Sequence, residues 1–213
     1  MSINTGIVHI NSELNGREEA LETADRFNKN NKFSGKTALH IRLLTEELIC
    51  MVHNIFEGFL GNLWLESNRT DDGVICKICL SGNRVLDPKQ EDQLISVSST
   101  GRNEYAKGIL GMIREAFRVN AQYSADKEYM KGFYAENNWY GMGIKKKAAV
   151  EDENGENCWS LSNYRDNLSD NRESSAEEID ELERSIIAQL ADDVKVWITD
   201  ETTEVVIVKR IKE

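Results

Sequence analysis

A broad apolar face repeats at helical spacing between Gly35 and Phe59, and this feature constrains the fold more than any other part of the chain. Residues three and four apart share one side of an α-helix, so the pattern predicts a long helix that buries that side. The helix must therefore pack against another apolar element. The apolar face consists of Leu39, Leu43, Leu44, Leu48, Met51, Val52, Ile55, Phe56 and Phe59.

Shorter patterns elsewhere predict the rest of the fold. Two apolar runs bracket Asp71-Asp72-Gly73, and Asp-Gly supplies the positive φ angles of a tight hairpin turn. Other strands are predicted at residues 7–10, in the segments NNWYGMGIKKKAAV and NCWSLSNYR, and as two strands in VKVWITDETTEVVIVKRI. Other helices are predicted at residues 13–28 after Ser12, at 89–95, at 103–117 and at 175–190.

The order of these elements, β-α-α-β-β-α-β-β-α-β-β, favours one fold class. Hairpin connections between the central strands predict a mixed, largely antiparallel sheet. Helices then cover one face, which gives an α/β (α+β) two-layer sandwich. We expect one domain over residues 1–213, with residues 120–175 as an insertion or an addition to the sheet. The segment 151–183 carries twelve acidic residues against two arginines, which predicts a solvated surface.

Charge and hydropathy limit the classes of function. The net charge of −11 argues against binding to nucleic acid or to an anionic membrane, since both favour basic surfaces. No run approaches the ~18 apolar residues of a membrane span, and the N-terminal sequence does not have the pattern of a signal peptide. We therefore expect a cytoplasmic protein.

The cysteines Cys50, Cys76, Cys79 and Cys158 favour a structural interpretation. Cys76 and Cys79 have C-x-x-C spacing but lie in VICKICL, which is predicted to be a strand. Residues three apart on a strand point to opposite faces, so the two thiols cannot share one metal ion. We predict reduced structural cysteines and no metal site.

Three pieces of the sequence could carry chemistry. The first is Glu47, at the edge of the buried face of the long helix, where a carboxylate could act as a general base. The second is the polar turn SGNRVLDP after the strand VICKICL, which could bond the edge of a base. The third is SSTGRNEYAKGILGMI, in which hydroxyls, a lysine and glycines precede a helix. Backbone N–H groups at a helix N-terminus attract phosphate. Each piece also has a simpler interpretation when it is taken alone. Glu47 also fits a solvated helix carboxylate, SGNRVLDP a polar turn, and the third piece a loop with a helix cap.

Taken together, the three pieces resemble the histidine-kinase-like ATPases, also called the GHKL or Bergerat-fold superfamily. The most similar branch is that of the anti-sigma-factor serine kinases, whose motifs are E-x-x-x-N, D-x-G-x-P-F-D-P and a later G-x-G-L. The resemblance covers roughly residues 5–118 and the C-terminal hairpin. The slots of the three motifs are filled in order by Glu47 and Met51, by Ser81, Asn83, Leu86, Asp87 and Pro88, and by Ala106, Gly108 and Ile109.

The resemblance implies a signalling function based on ATP or ADP binding. Glu47 would be the catalytic base in phosphoryl transfer from ATP to a serine of a partner protein. The implied nucleotide-binding residues are Met51, Ser81, Asn83, Ser99, Thr100, Gly101, Lys107, Gly108 and Ile109.

Two replacements at these positions argue against vigorous Mg²⁺-dependent chemistry. Met51 stands where the family has a metal-binding Asn, and a thioether is a poor ligand for a hard cation. Ser81 stands where the family has an adenine-binding Asp, and it lacks that charge and reach. We therefore expect either an ATP-binding regulatory protein with weak or absent catalysis, or a pseudoenzyme that acts only as a protein-interaction module. The sequence leaves the partner protein and the oligomeric state open.

Overall fold

The computed structural model describes residues 2–55, 58–83, 149–151, 157–170, 185–198 and 202–212. Its strands are β1 (Ser2–Asn4), β2 (Val8–Asn11), β3 (Leu60–Thr70), β4 (Gly73–Asn83), β5 (Ala149–Glu151), β6 (Asn157–Ser160), β7 (Asp193–Ile198) and β8 (Thr202–Ile211). Its helices are α1 (Arg17–Asn30), α2 (Gly35–Ile55), α3 (Leu161–Asp170) and α4 (Ile186–Leu190). None of the helices in these ranges has both the length and the apolarity of a membrane span.

The strands form one open antiparallel sheet in the order β1-β3-β4-β8-β7-β6-β5, and β2 pairs with β3 beside β1. The β3–β4 hairpin turns at Asp71-Asp72, and of the predicted Asp-Gly pair Gly73 alone has a positive φ, 133°. Only glycine adopts that angle without strain. Both this hairpin and the C-terminal β7–β8 hairpin were predicted, and the α+β sandwich is confirmed.

Alternation along β4 separates the two faces of the sheet. Cys76 and Leu80 belong to the main core beneath the helices, whereas Cys79 packs with Val206 and Val208 on the opposite face. The two cysteines therefore point to opposite sides, as predicted, and none of the four cysteines forms a disulfide. The face that carries Cys79 is called the far face below.

The first helix begins at Arg17, later than the predicted range 13–28. The side chain of Asn11 causes the delay, because its Oδ1 accepts hydrogen bonds from the backbone N–H groups of Glu13 and Asn15, both at 3.0 Å. These residues form a turn that competes with helical hydrogen bonding.

The long helix α2 ends at Ile55 rather than at Phe59. Gly58 has a φ of 72°, which takes the chain out of helical geometry. Phe59 is nevertheless fully buried, so its prediction as a core residue is right although its helical assignment is wrong. Leu39 was predicted on the buried face, but it is 52% exposed.

The segment NCWSLSNYR is a strand only as far as Ser160. Helix α3 begins at the next residue, and the Ser160 hydroxyl accepts a hydrogen bond from the N–H of Asn163 at 3.4 Å, in the manner of an N-cap. Strand β1 was not predicted. The helices predicted at 89–95 and 103–117 lie outside the described residues, as does most of the helix predicted at 175–190.

Candidate functional site

Glu47 lies on α2 at the margin of the core, in an environment that favours its protonated form. The side chain is half-buried, and this desolvation raises the pKa of its carboxyl group. The adjacent Glu46 carboxylate raises that pKa further. Glu46 itself forms an ion pair with Arg17 of α1. A carboxyl group with a raised pKa can exchange protons nearer to neutral pH, which is what a general base needs.

Met51 lies one turn after Glu47, but it faces inward. Its side chain is 1% exposed and belongs to the main core. The thioether is therefore shielded by apolar groups and is not presented to a cation in solution. In the described ranges, no three His, Cys, Asp or Glu side chains come together as they would around a metal ion.

Ser81 and Asn83 lie at the end of β4. Strand alternation places the Ser81 side chain on the far face with Cys79, and its neighbours across the ladders are Asn62 and Glu204. Asn83 uses its Oδ1 atom to accept a hydrogen bond from the N–H of Leu60 at 2.8 Å. The structure therefore does not bring Ser81 and Glu47 onto the same side of the sheet.

A different set of residues occupies the helix side of this strand end. Gly61 and Gly82 are partners across the β3–β4 ladder, and the ring of Phe59 lies against both. A Cβ atom built on Gly61 would lie 2.4 Å from Cε1 of that ring, and one built on Gly82 would lie 2.3 Å from Cζ. Both distances are below any real contact, so the paired glycines make the space that the ring fills. This place is called the Phe59 slot below.

Ser12 holds the chain that leads into the slot. Its N–H donates to the carbonyl of Phe59 at 3.1 Å, and its hydroxyl accepts from the N–H of Gly58 at 3.1 Å. Its carbonyl accepts from Nδ1 of His53 at 2.6 Å. The turn before α1 thus bonds both to His53 on α2 and to Gly58 and Phe59, which precede β3.

Thr203 borders the slot from the neighbouring strand. It pairs with Gly82 across the β4–β8 ladder, and alternation with the core residues Val205 and Ile207 turns its side chain toward the helices. The residue is 1% exposed, and its Oγ1 atom has no hydrogen-bond partner in the described parts of the chain. A buried hydroxyl without a partner carries a desolvation cost, and a polar group that entered the slot could form a hydrogen bond with this atom.

Sequence reasoning found part of this site and missed the rest. Glu47 and the end of β4 were singled out, but the slot and Thr203 were not. The paired glycines of GNLW and SGN gave a signal, since glycine inside a strand marks close approach by another group. The predicted loop residues Ser99, Thr100, Gly101, Lys107, Gly108 and Ile109 lie outside the described residues.

Comparison with known proteins gives no significant match for this chain among protein-family models, curated sequences or solved structures.

Proposed function

We propose that this protein is a pseudoenzyme with a fold similar to the histidine-kinase-like ATPases, acting as a protein-interaction module. The observation that carries the proposal is the position of Phe59, whose ring fills the space between Gly61 and Gly82 on the helix side of β4. In the histidine-kinase-like ATPases that the sequence resembles, a purine would bind at this strand end, next to the long helix. A fully buried side chain in that space competes directly with a ligand.

The positions of Met51 and Ser81 support weak or absent Mg²⁺-dependent catalysis. Met51 is buried in the core, so the position that resembles the metal ligand is closed to solvent. Ser81 lies on the far face, away from the helix that carries Glu47. Phosphoryl transfer needs a metal ion and a base beside the same phosphate, and these residues do not supply that arrangement.

A nucleotide-binding regulatory protein is the second candidate. The Thr203 hydroxyl favours it, because this atom has no partner within the described part of the chain. An incoming base of ATP or ADP would give this atom a hydrogen-bond partner, but it would have to displace the Phe59 ring. The half-buried Glu47 lies on α2, and therefore on the same side of the sheet as the slot. The two candidates therefore differ in whether Phe59 leaves the slot.

Thermal unfolding with millimolar ATP or ADP, with and without Mg²⁺, separates the two candidates. Under the first proposal, nucleotide leaves the Tm of the wild-type protein unchanged. A nucleotide at 100 times its Kd would add about 2.7 kcal/mol to the free energy of unfolding, which is readily detected. Any wild-type shift would overturn the first proposal, and its loss in Thr203→Val would support the second.

Phe59→Ala tests the slot itself. If the ring alone blocks a purine site, this variant gains a nucleotide-dependent Tm shift that the wild type lacks. Phe27→Ala is the matched control, because Phe27 is equally buried but lies on α1. A shift in both variants would indicate general loosening of the core, and the slot would lose its special role.

A further inference from the structure

The sheet ends in an edge strand that has two parts. Strands β1 and β2 both pair with β3, and within the described residues no strand pairs with their outer side. Asn4 lies opposite Glu66, and Val8 lies opposite Leu63. Three residues therefore face two on β3 between these pairs, which makes residues 5–7 a β-bulge.

This edge is unusually neutral. Residues 2–11, SINTGIVHIN, contain no Asp, Glu, Lys or Arg, although such residues make up 30% of the whole chain. Exposed edge strands are normally protected from other strands by charges or proline, and here the bulge is the protection that the segment has. The bulge covers only residues 5–7, so the uncharged strands β1 and β2 on either side of it are suited to pairing with another strand.

A groove of about 250 Å³ runs between the bulge and α1. Ile7 lies at this groove with 60% of its surface exposed. The α1 side of the groove is a single stripe formed by Glu19, Thr23, Arg26 and Asn30. Glu19 and Arg26 are seven residues apart, so two helical turns, about 10 Å, separate an acidic end from a basic end.

We propose that this edge and groove bind a second copy of the same chain through a two-fold axis. In such a contact the two edge strands lie antiparallel and the two α1 helices pass each other in opposite directions. Glu19 of each copy then meets Arg26 of the other copy, so the charge pattern complements itself. The net charge of −11 makes two copies repel, so a contact between them is favoured where the surface is locally neutral, as it is at this edge.

The proposal does not depend on whether the Phe59 slot binds nucleotide. Sedimentation equilibrium of the full chain at several concentrations measures it directly. We expect a wild-type dimer, and at least a tenfold higher dissociation constant for Glu19→Arg and for Arg26→Glu, since each places like charges together. A 1:1 mixture of the two variants should dimerise again, because both pairs of opposite charges then form between unlike chains.

Glu18→Arg and Lys29→Glu are the matched controls. Both residues are exposed on α1 outside the groove, and the net charge changes by the same amounts. These controls should leave the dimer intact, and circular dichroism confirms that every variant is folded. A monomeric wild type, equal weakening by the controls, or failure of the mixture to dimerise would each overturn the proposal.

Discussion

The ring of Phe59 rests on the backbone of Gly82, so closely that a Cβ atom there would lie 2.3 Å from Cζ of the ring. The same Cβ atom would lie 2.6 Å from the carbonyl oxygen of Leu60. Neither neighbour can move easily, because the ring is fully buried and the carbonyl belongs to the backbone.

We therefore expect Gly82→Ala to lower the free energy of unfolding by about 1–3 kcal/mol, the usual cost of overpacking a core. Urea denaturation measures the loss. Gly6→Ala, compared at protein concentrations too low for two copies to associate, is the control, since a Cβ atom at Gly6 meets nothing within 4 Å of its own chain. Equal stability of the two variants would mean that the ring does not occupy the slot.

The same pair of residues shows how far the sequence predicts this site. The helical spacing of Phe59 correctly marked it as a core residue. Gly58 has a positive φ, and its N–H donates to Ser12, which is distant in the sequence. Motif spacing drew attention to Ser81, whereas the residue that faces the helices is Gly82. A shift of one position on a strand reverses the face, and spacing alone does not fix the register.

Elements that depend on local pattern were predicted well, and the β3–β4 hairpin is the clearest case. Asp71-Asp72-Gly73 encodes its own turn, and the alternation on either side sets the two faces. Thr203 shows the opposite situation. It sits in a correctly predicted strand, but no local pattern reveals that a hydroxyl lacks a hydrogen-bond partner.

The hydroxyl of Thr203, which has no hydrogen-bond partner among the described residues, gives a second prediction. Thr203→Val replaces a buried polar atom with a methyl group of similar shape, so we expect the free energy of unfolding to stay the same or to rise by about 1 kcal/mol. Thr45→Val is the matched control, because Thr45 is equally buried but its hydroxyl donates to the carbonyl of Ile41 at 2.9 Å. Greater destabilisation at Thr203 than at Thr45 in chemical denaturation would show that the Thr203 hydroxyl has a partner.

Asp193 fastens the start of α3 to the sheet. Its carboxylate, on a residue 8% exposed, accepts hydrogen bonds at 3.0 Å from the Ser160 hydroxyl and from the N–H of Ser162. Asp193→Ala removes the acceptor that these two groups share, so it should lower the free energy of unfolding by about 2–3 kcal/mol. The exposed Asp166 of α3 is the control, and Asp166→Ala should change stability by less than about 0.5 kcal/mol. If Asp193→Ala and Asp166→Ala lowered the denaturant midpoint by similar amounts, Asp193 would not hold the start of α3 on the sheet.

The reactivity of Cys50 tests the electrostatics around Glu47. Burial raises the pKa of the Cys50 thiol, the carboxylates of Glu47 and Glu46 raise it further, and Arg17 lowers it. Glu47→Gln should therefore speed alkylation of Cys50 by iodoacetamide at pH 8, and Arg17→Ala should slow it, because the thiolate is the reactive form.

Mass spectrometry of timed samples gives the alkylation rate at each cysteine. Cys76 and Cys79 are internal controls, since burial raises the pKa of each to about 12, and they should stay unlabelled in every variant. If alkylation of Cys50 became faster in both Glu47→Gln and Arg17→Ala, or slower in both, the two charges would not act on the thiol in opposite directions.

The raised pKa of Glu47 also predicts how stability depends on pH. The folded protein favours the protonated carboxyl, so the folded state binds more protons than the unfolded state between the ordinary value of 4.5 and the raised value. The contribution of Glu47 to stability is therefore greatest below pH 4.5 and is lost as the pH rises through the raised pKa. Glu47→Gln removes this loss, so the variant should gain stability relative to the wild type between pH 4 and pH 7. Glu13→Gln, at an exposed turn position, controls for the change in net charge. Denaturant titrations of the wild type and the variants at pH 4 and pH 7 measure this difference. If Glu47→Gln lost stability relative to the wild type between the two pH values, the pKa of Glu47 would not be raised.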